Sequence, residues 1–588
     1  MCGIIGGIGN TDFRSFLLTG LTKLDYRGYD SAGVAYFEGD KIEIRKVCGR
    51  VAALSLLVPQ TLHTKVGIGH SRWATHGRPS VVNAHPHASQ SGMFAIVHNG
   101  VITNFKTLQN QLKARRFQFV SQTDSEVIPH LLEWYYTRSG SVMEALRLAA
   151  EELQGSYAVA ILCKDDPNHL YYLKKGAPLL ICKTQDGIFI SSDPTPLAEL
   201  GGDFYDLPEG SYGYLGEQEV VCYCGETPTA PTPFPYSGVA QSNELHGYRY
   251  HMEKEIADIP YAIAALSDNY LSNGALCFDE NLLSALSGAK RIHFLGCGSS
   301  FFACQCGVSA FRARGKEALA SVASEWLGFP YDLDGTTFFI LVSQSGETAD
   351  LIRCQAILNE KAIPHLTITN TKMSSLERKS TYSLLLYAGL ETAVAATKTF
   401  VSEVVLLELL ASALGGAALT EADLNCLIEG ANAVLGRRND IEHLLSAFGE
   451  NTFCLATGRL LPIAREAALK LKEVGYLHAE ALASGEMKHG PLALIGEGFP
   501  VLALVGEICG QEGLRASLEE IKTRGGVPLV ISMASYAQDE DAFVLPNVPA
   551  PLVPSLFAIV VDLFAFVLGQ SRNHPVDHPR NLAKSVTV

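Results

Sequence analysis

The sequence predicts two folds in series: an α+β domain on antiparallel sheets, then a repeated α/β domain on parallel sheets. Three observations carry this. Short β-like runs dominate the first 225 residues. A stretch dense in Pro and Thr, GETPTAPTPFP at 225–235, follows. Beyond it, short apolar runs alternate with helical segments, as in βαβ units.

Before the Pro/Thr stretch the β-like runs are 33–37, 94–98, 157–163 and 187–191, with helical patterns at 104–114, 125–136 and 142–153. That order suits antiparallel sheets with flanking helices. The Pro/Thr stretch can hold neither a helix nor a central strand, so it reads as a linker. After it, buried parallel strands are expected at 291–295, 337–342, 365–369, 383–387, 452–456, 501–505 and 528–532. HFLGCG (293–298) and FCLATG (453–458) each end a strand in Gly before a helix. They suggest two copies of one α/β domain. SQSGET follows in the first copy, where the second has GEICGQ.

The 588 residues exceed one core; at roughly 150 residues per domain they imply three to four domains. With 47% hydrophobic and 18% charged residues the composition is that of a globular chain. Net charge is −15 with no basic block, which argues against nucleic acid or an anionic membrane as partner. The fourteen cysteines lack zinc spacing and read mostly as reduced core thiols. The apolar run 556–568 carries Asp562, is too short to span a bilayer, and reads as a buried helix. The start, MCGIIGGI, lacks a basic n-region, so a cytoplasmic location is expected.

Cys2 is the first candidate for chemistry. Removal of Met1 would leave a thiol and a free α-amine on one residue. That amine, with an ordinary pKa of about 7.7–8, can serve as base near neutrality. Cys2 could equally begin a core strand. SRWATHG (71–77) offers Arg72 as a bidentate carboxylate clamp, or as a surface ion pair. Asp124, in SQTDSEVI (121–128), can pair with an ammonium or cap a helix. Asn99 and Gly100, in HNG, can donate to an oxyanion or form a hairpin turn.

In the later region VSQSGETADL (342–351) reads as strand, loop and helix start. Ser343, Ser345 and Thr348 could join backbone N–H groups around a phosphate, or simply cap the helix. LGCGSS (295–300) is a second Gly-rich strand end that could share that crevice. Lys470 and Glu473 lie three apart on one helix face, whereas Lys472 faces elsewhere. An acid, a base and an amine beside a phosphate loop fit sugar isomerisation, and His489 in KHGP is a further acid or base. The polar tail carries Lys584.

MCGIIG, LDYRGYDSAG (24–33), SRWATHG, NAHPH (83–87), HNG and SQTDSE together resemble the glutaminase domain of the N-terminal-nucleophile amidotransferases. SQSGETAD, LKLKE, HAEALASGEMKHGPLALI and PRNLAKSVTV resemble the sugar-isomerase (SIS) half of the glutamine–fructose-6-phosphate aminotransferase family, bacterial type. The resemblance spans nearly the whole chain. It implies an αββα glutaminase sandwich at 1–225 and a linker at 226–243. Two SIS domains with parallel sheets would follow at 244–430 and 431–574, and a tail over the sugar site at 575–588.

The resemblance further implies Cys2 as nucleophile, Asn99 and Gly100 as oxyanion hole, and Arg72, Thr75, His76 and Asp124 as glutamine contacts. Trp73 would gate the ammonia passage. Sugar phosphate would meet Ser300, Ser343, Gln344, Ser345, Thr348, Glu391 and Val394. Glu473 would be the base of a 1,2-proton shift, with Lys470 nearby. His489 would assist ring opening from a neighbouring subunit of a homodimer, and Lys584 would form a Schiff base. Glutamine and fructose 6-phosphate are the implied substrates, with no cofactor and no metal. Ala396 stands where the family often has Ser, and the chain stops at Val588 where the family tail usually has one more Glu. Two rival readings are an amidotransferase or deglycase on another sugar phosphate, and a phosphosugar-sensing SIS protein without turnover.

Overall fold

The computed structural model describes residues 2–25, 28–74, 76–236, 244–507 and 510–586. The chain divides into two compact units. One comprises Met1–Ala240 with Ala583–Val588, the other Gln241–Leu582.

The first unit holds two antiparallel sheets. In the eight-stranded sheet Gly3–Gly9 is central, flanked by Gly187–Ser191 and Val66–Arg72. In the seven-stranded sheet Phe94–Ile102 pairs with Gly155–Cys163. Strand residues alternate faces. Ile4, Ile8, Val66 and Ile68 of the first sheet therefore pack on Ala95, Val97, Ala158 and Ala160 of the second. Phe94 and Ile96 point the other way, onto Leu108, Leu112, Val127 and Leu131 of the helices Phe105–Ala114 and Val127–Ser139. The helix Phe13–Lys23 covers the far face of the first sheet, where Gly67 and Gly69 leave room for Leu17 and Leu21. The layers are thus αββα.

The Pro/Thr stretch is more than a linker. Thr227–Thr229 and Thr232–Phe234 are edge strands, one on each sheet. Edge positions tolerate Pro because one side of the strand needs no N–H donor. Pairing of this kind is a tertiary event, which is why composition alone reads the segment as bare connection.

The second unit contains two five-stranded parallel sheets. One runs Glu317–Val322, Arg291–Gly296, Thr337–Ser343, His365–Thr369, Tyr382–Leu385. The other runs His478–Ala483, Asn451–Ala456, Pro500–Val505, Val527–Met533, Phe543–Leu545. The strand order is the same in both, so the repeat suggested by HFLGCG and FCLATG is a repeat of topology. The helix Val553–Ser571 is apolar enough to cross a membrane by composition, yet its apolar window lies wholly inside the unit. It is a core helix, packed with Lys398–Ser412 and Leu461–Glu473.

Candidate functional site

The first site is the polar end of the core between the two antiparallel sheets. The inward row Val66, Ile68 continues into His70 and Arg72, and the inward row Ala95, Val97 continues into Asn99. Gly3 pairs with Ser71 and Ile4 with His70, which sets Cys2 beside Arg72. Three rows that begin as hydrocarbon thus end in a thiol, a guanidinium and an amide.

Cys2 is half-buried, and its Sγ lies 3.3 Å from the Trp73 N–H and 3.5 Å from the Trp73 carbonyl. Burial pushes the thiol up, while the Trp73 N–H and the Arg72 charge act against that. Asn99 Nδ2 donates to the Cys2 carbonyl at 3.0 Å. Gly100 follows with φ +134°, and a Cβ there would lie 2.0 Å from the Ser156 carbonyl oxygen, so the position requires glycine.

Arg72 is 3% exposed. Its Nη2 donates to the His76 carbonyl at 2.5 Å and, more weakly, to that of Gly77. Its Nη1 is buried without a partner among the described residues. A buried guanidinium with one open nitrogen is a site for a carboxylate. Asp124 accepts the Ile102 N–H at 2.8 Å and lies 4.0 Å from His76 Nδ1. Thr75 lies outside the described residues. Cys2, Arg72, Trp73, His76, Asn99, Gly100 and Asp124 all belong to the first unit.

The second site lies within the other unit. The loop Ser343 to Thr348 links the strand Thr337–Ser343 to the helix Ala349–Glu360. Ser343 Oγ lies 2.9 Å from Thr348 Oγ1 and accepts the Gly346 N–H, and Ser345 Oγ accepts the Glu347 N–H. Gly346 has φ +63°, and a Cβ there would meet Ser374 Oγ at 2.0 Å. The Gln344 carbonyl accepts the Asn370 N–H, which ties the loop to the neighbouring strand end. The result is a compact hydroxyl-lined turn at a helix start, a setting suited to phosphate.

Ser300 donates to Glu403 at 2.8 Å. Its neighbour Ser299 donates to Glu466 at 2.8 Å and accepts from Lys470 at 3.2 Å. Lys470 also meets Glu473 at 2.8 Å and Glu466 at 2.9 Å. Burial alone would push the Lys470 ammonium down, but the neighbouring Glu466 and Glu473 carboxylates override it and hold the group charged. Glu391 is buried and accepts from Thr397 and Thr399, so it braces the loop before the helix Lys398–Ser412. The Val394 N–H donates to the Asp577 carbonyl, which fixes the start of the tail. His489 is exposed on the second unit. Lys584 belongs to the C-terminal stretch of the first unit.

Sequence reasoning passed over four residues at these sites. His70 stands two before Arg72, the strand spacing that puts both on one face. Ser125 adjoins Asp124. Glu466 stands four before Lys470, the other helical contact spacing. Ser299 sits beside Ser300 at the start of the helix Gly298–Arg312.

Comparison with known proteins agrees with both halves. The glutamine amidotransferase domain family matches residues 72–199, and the SIS domain family matches 285–413 and 449–568. An amidotransferase domain followed by two SIS domains defines the class: a glutamine amidotransferase joined to a sugar-isomerase module. The chain belongs to the glutamine–fructose-6-phosphate aminotransferase (isomerizing) family. It is 37% identical over 604 residues to the member from Geobacillus kaustophilus and 38% identical over 605 to that from Bacillus cereus, covering all of both chains in each case. Among solved structures it resembles the C-terminal domain of glucosamine-fructose-6-phosphate aminotransferase from Francisella tularensis. There the TM-score is 0.52 and the identity 27%, over 57% of this chain and all of that one.

Proposed function

We propose that the chain hydrolyses glutamine at Cys2 and uses the ammonia to convert fructose 6-phosphate into glucosamine 6-phosphate. The reading rests above all on the convergence of Cys2, Asn99 and the open Nη1 of Arg72 at one end of the inter-sheet core.

Arg72 holds the glutamine α-carboxylate and Asp124 its ammonium, and Thr75 and His76 serve as further glutamine contacts. The thiol of Cys2, deprotonated by its own α-amine once Met1 is gone, attacks the side-chain amide carbon. Asn99 Nδ2 and the Gly100 N–H receive the oxyanion. Ammonia leaves, and water releases glutamate from the thioester.

In the second unit Ser300, Ser343, Gln344, Ser345 and Thr348 hold the phosphate, and Glu391 and Val394 shape the sugar pocket. His489 from a partner subunit assists ring opening, which makes the working enzyme at least a homodimer. Lys584 condenses with the C2 carbonyl, releasing water, and ammonia displaces it. Glu473, paired with Lys470, then moves a proton between C1 and C2.

Cys2→Ala should abolish glutamine-supported synthesis and leave phosphosugar isomerase activity intact. Persistence of both activities contradicts the reading.

A further inference from the structure

Four histidines, His70, His85, His87 and His98, are buried behind the first site. His70 stacks on His85 with ring centroids 4.2 Å apart, and His85 meets His87 edge-on at 4.5 Å. The proposed chemistry uses none of them.

His70 makes a specific contact. Its Nε2 lies 3.0 Å from Asn99 Oδ1 and 3.0 Å from the His98 carbonyl oxygen, while its Nδ1 is buried without a partner among the described residues. Two acceptors facing one nitrogen require that nitrogen to carry the proton. Burial keeps the ring neutral, pushing its pKa down to about 3. His70 is therefore the Nε2–H tautomer, shared between a carbonyl that cannot rotate and an amide that can.

The amide is the group that matters. Asn99 could present either its oxygen or its nitrogen toward Cys2. With Oδ1 held by His70, Nδ2 faces the nucleophile and reaches the Cys2 carbonyl at 3.0 Å. The flipped amide would set an N–H against the His70 N–H and a carbonyl oxygen against the developing oxyanion.

We propose that His70 is a positioning residue for glutamine hydrolysis, whose Nε2–H fixes the Asn99 side chain with its nitrogen toward the reacting carbonyl. This rests on the assignment of Asn99 as an oxyanion donor.

The test compares His70→Phe, which keeps a ring against His85 without a donor, with His70→Gln, which keeps an N–H donor. Removing one oxyanion donor costs roughly 10²–10³ in kcat. His70→Phe should lose about 10²-fold in glutaminase kcat with KM for glutamine changed less than about threefold, and His70→Gln should regain at least about tenfold of that loss. In an Asn99→Ala background His70→Phe should cost nothing further. Isomerase activity on the same chain should not move. Equal activity of His70→Phe and wild type overturns the proposal, as does a loss that adds fully to that of Asn99→Ala. A wild type without glutaminase activity would instead sink the function itself. Should the variants not fold, neutron diffraction on the wild-type enzyme decides: deuterium on Nε2 facing Asn99 Oδ1 supports the proposal, and deuterium on Nδ1 or a flipped Asn99 overturns it.

Discussion

Lys470 and Glu466 meet at 2.9 Å, one helical turn apart, with neither side chain reached by solvent. The same ammonium meets Glu473, the proposed base, at 2.8 Å. Removing one partner of a buried ion pair leaves an uncompensated charge and costs about 3–5 kcal/mol. Lys470→Met should therefore destabilise the second unit on that scale and abolish isomerase activity while glutamine hydrolysis continues. Glu466→Gln added to Lys470→Met should recover part of the stability, because it removes the stranded carboxylate. Thermal unfolding with both assays checks this, and an unshifted melting transition in Lys470→Met would count against a charged buried pair.

Asp562 lies in the core helix, fully buried, with neither carboxyl oxygen bonded to any described residue. Burial pushes its pKa well above the usual carboxylate range, with the Lys470 charge pulling the other way. The unfolded chain ionises an Asp near pH 3.9. Above that pH the folded state retains a proton that the unfolded state has lost, so stability falls as pH rises toward the folded pKa. Asp562→Asn carries no such penalty. It should melt above wild type at pH 8, with the gap narrowing toward pH 4. A gap that is constant with pH would show that Asp562 is ionised in the fold.

Arg72 has one nitrogen on backbone carbonyls and one open. A lysine carries the charge without the planar fork. Losing one charge-assisted hydrogen bond at about 1.5–3 kcal/mol should raise KM for glutamine roughly 10–100-fold in Arg72→Lys. Ammonia-supported synthesis should be unchanged. A fall in kcat at constant KM would place Arg72 in transition-state chemistry rather than substrate holding.

The legibility of the sequence differed between residues for physical reasons. Arg72, Asn99 and Asp124 were readable because each is a polar group in a short motif, the first two toward the end of a strand and the third just ahead of a helix. His70 gains its meaning only from register: until Ile4 pairs with His70 and Asn99 faces inward, nothing relates residue 70 to residue 99. Lys470 and Glu473 were readable from helical spacing, but burial makes Glu466 the closer analogue of a core pair. Asp562 stood out as the lone charge in an apolar run, yet the face it turns to depends on which helix packs there. The edge strands at 227–234 were hidden because Pro reports what a segment cannot do, not what its neighbours let it do.

The buried histidines make the first unit acid-sensitive. His70 titrates near pH 6.5 when unfolded and at about 3 when folded, so it is neutral in the fold where the unfolded chain begins to be charged. Its contribution to stability is fully present above pH 6.5 and is lost as pH falls toward 3. At pH 5 the difference of about 1.5 pH units from the unfolded value corresponds to about 2 kcal/mol for this one ring. His85, His87 and His98 are pushed down by the same burial and act in the same direction. Unfolding of the first unit at pH 5 should therefore take up several protons, and its melting point should fall steeply between pH 6.5 and 5. His70→Gln removes one titrating ring, so its melting point should fall less steeply over that interval, with roughly one proton fewer taken up on unfolding. Calorimetry in buffers of different ionisation enthalpy measures that proton count. Equal counts in wild type and His70→Gln would mean that His70 is already protonated in the fold, and its ring could then not rest on Nε2 alone.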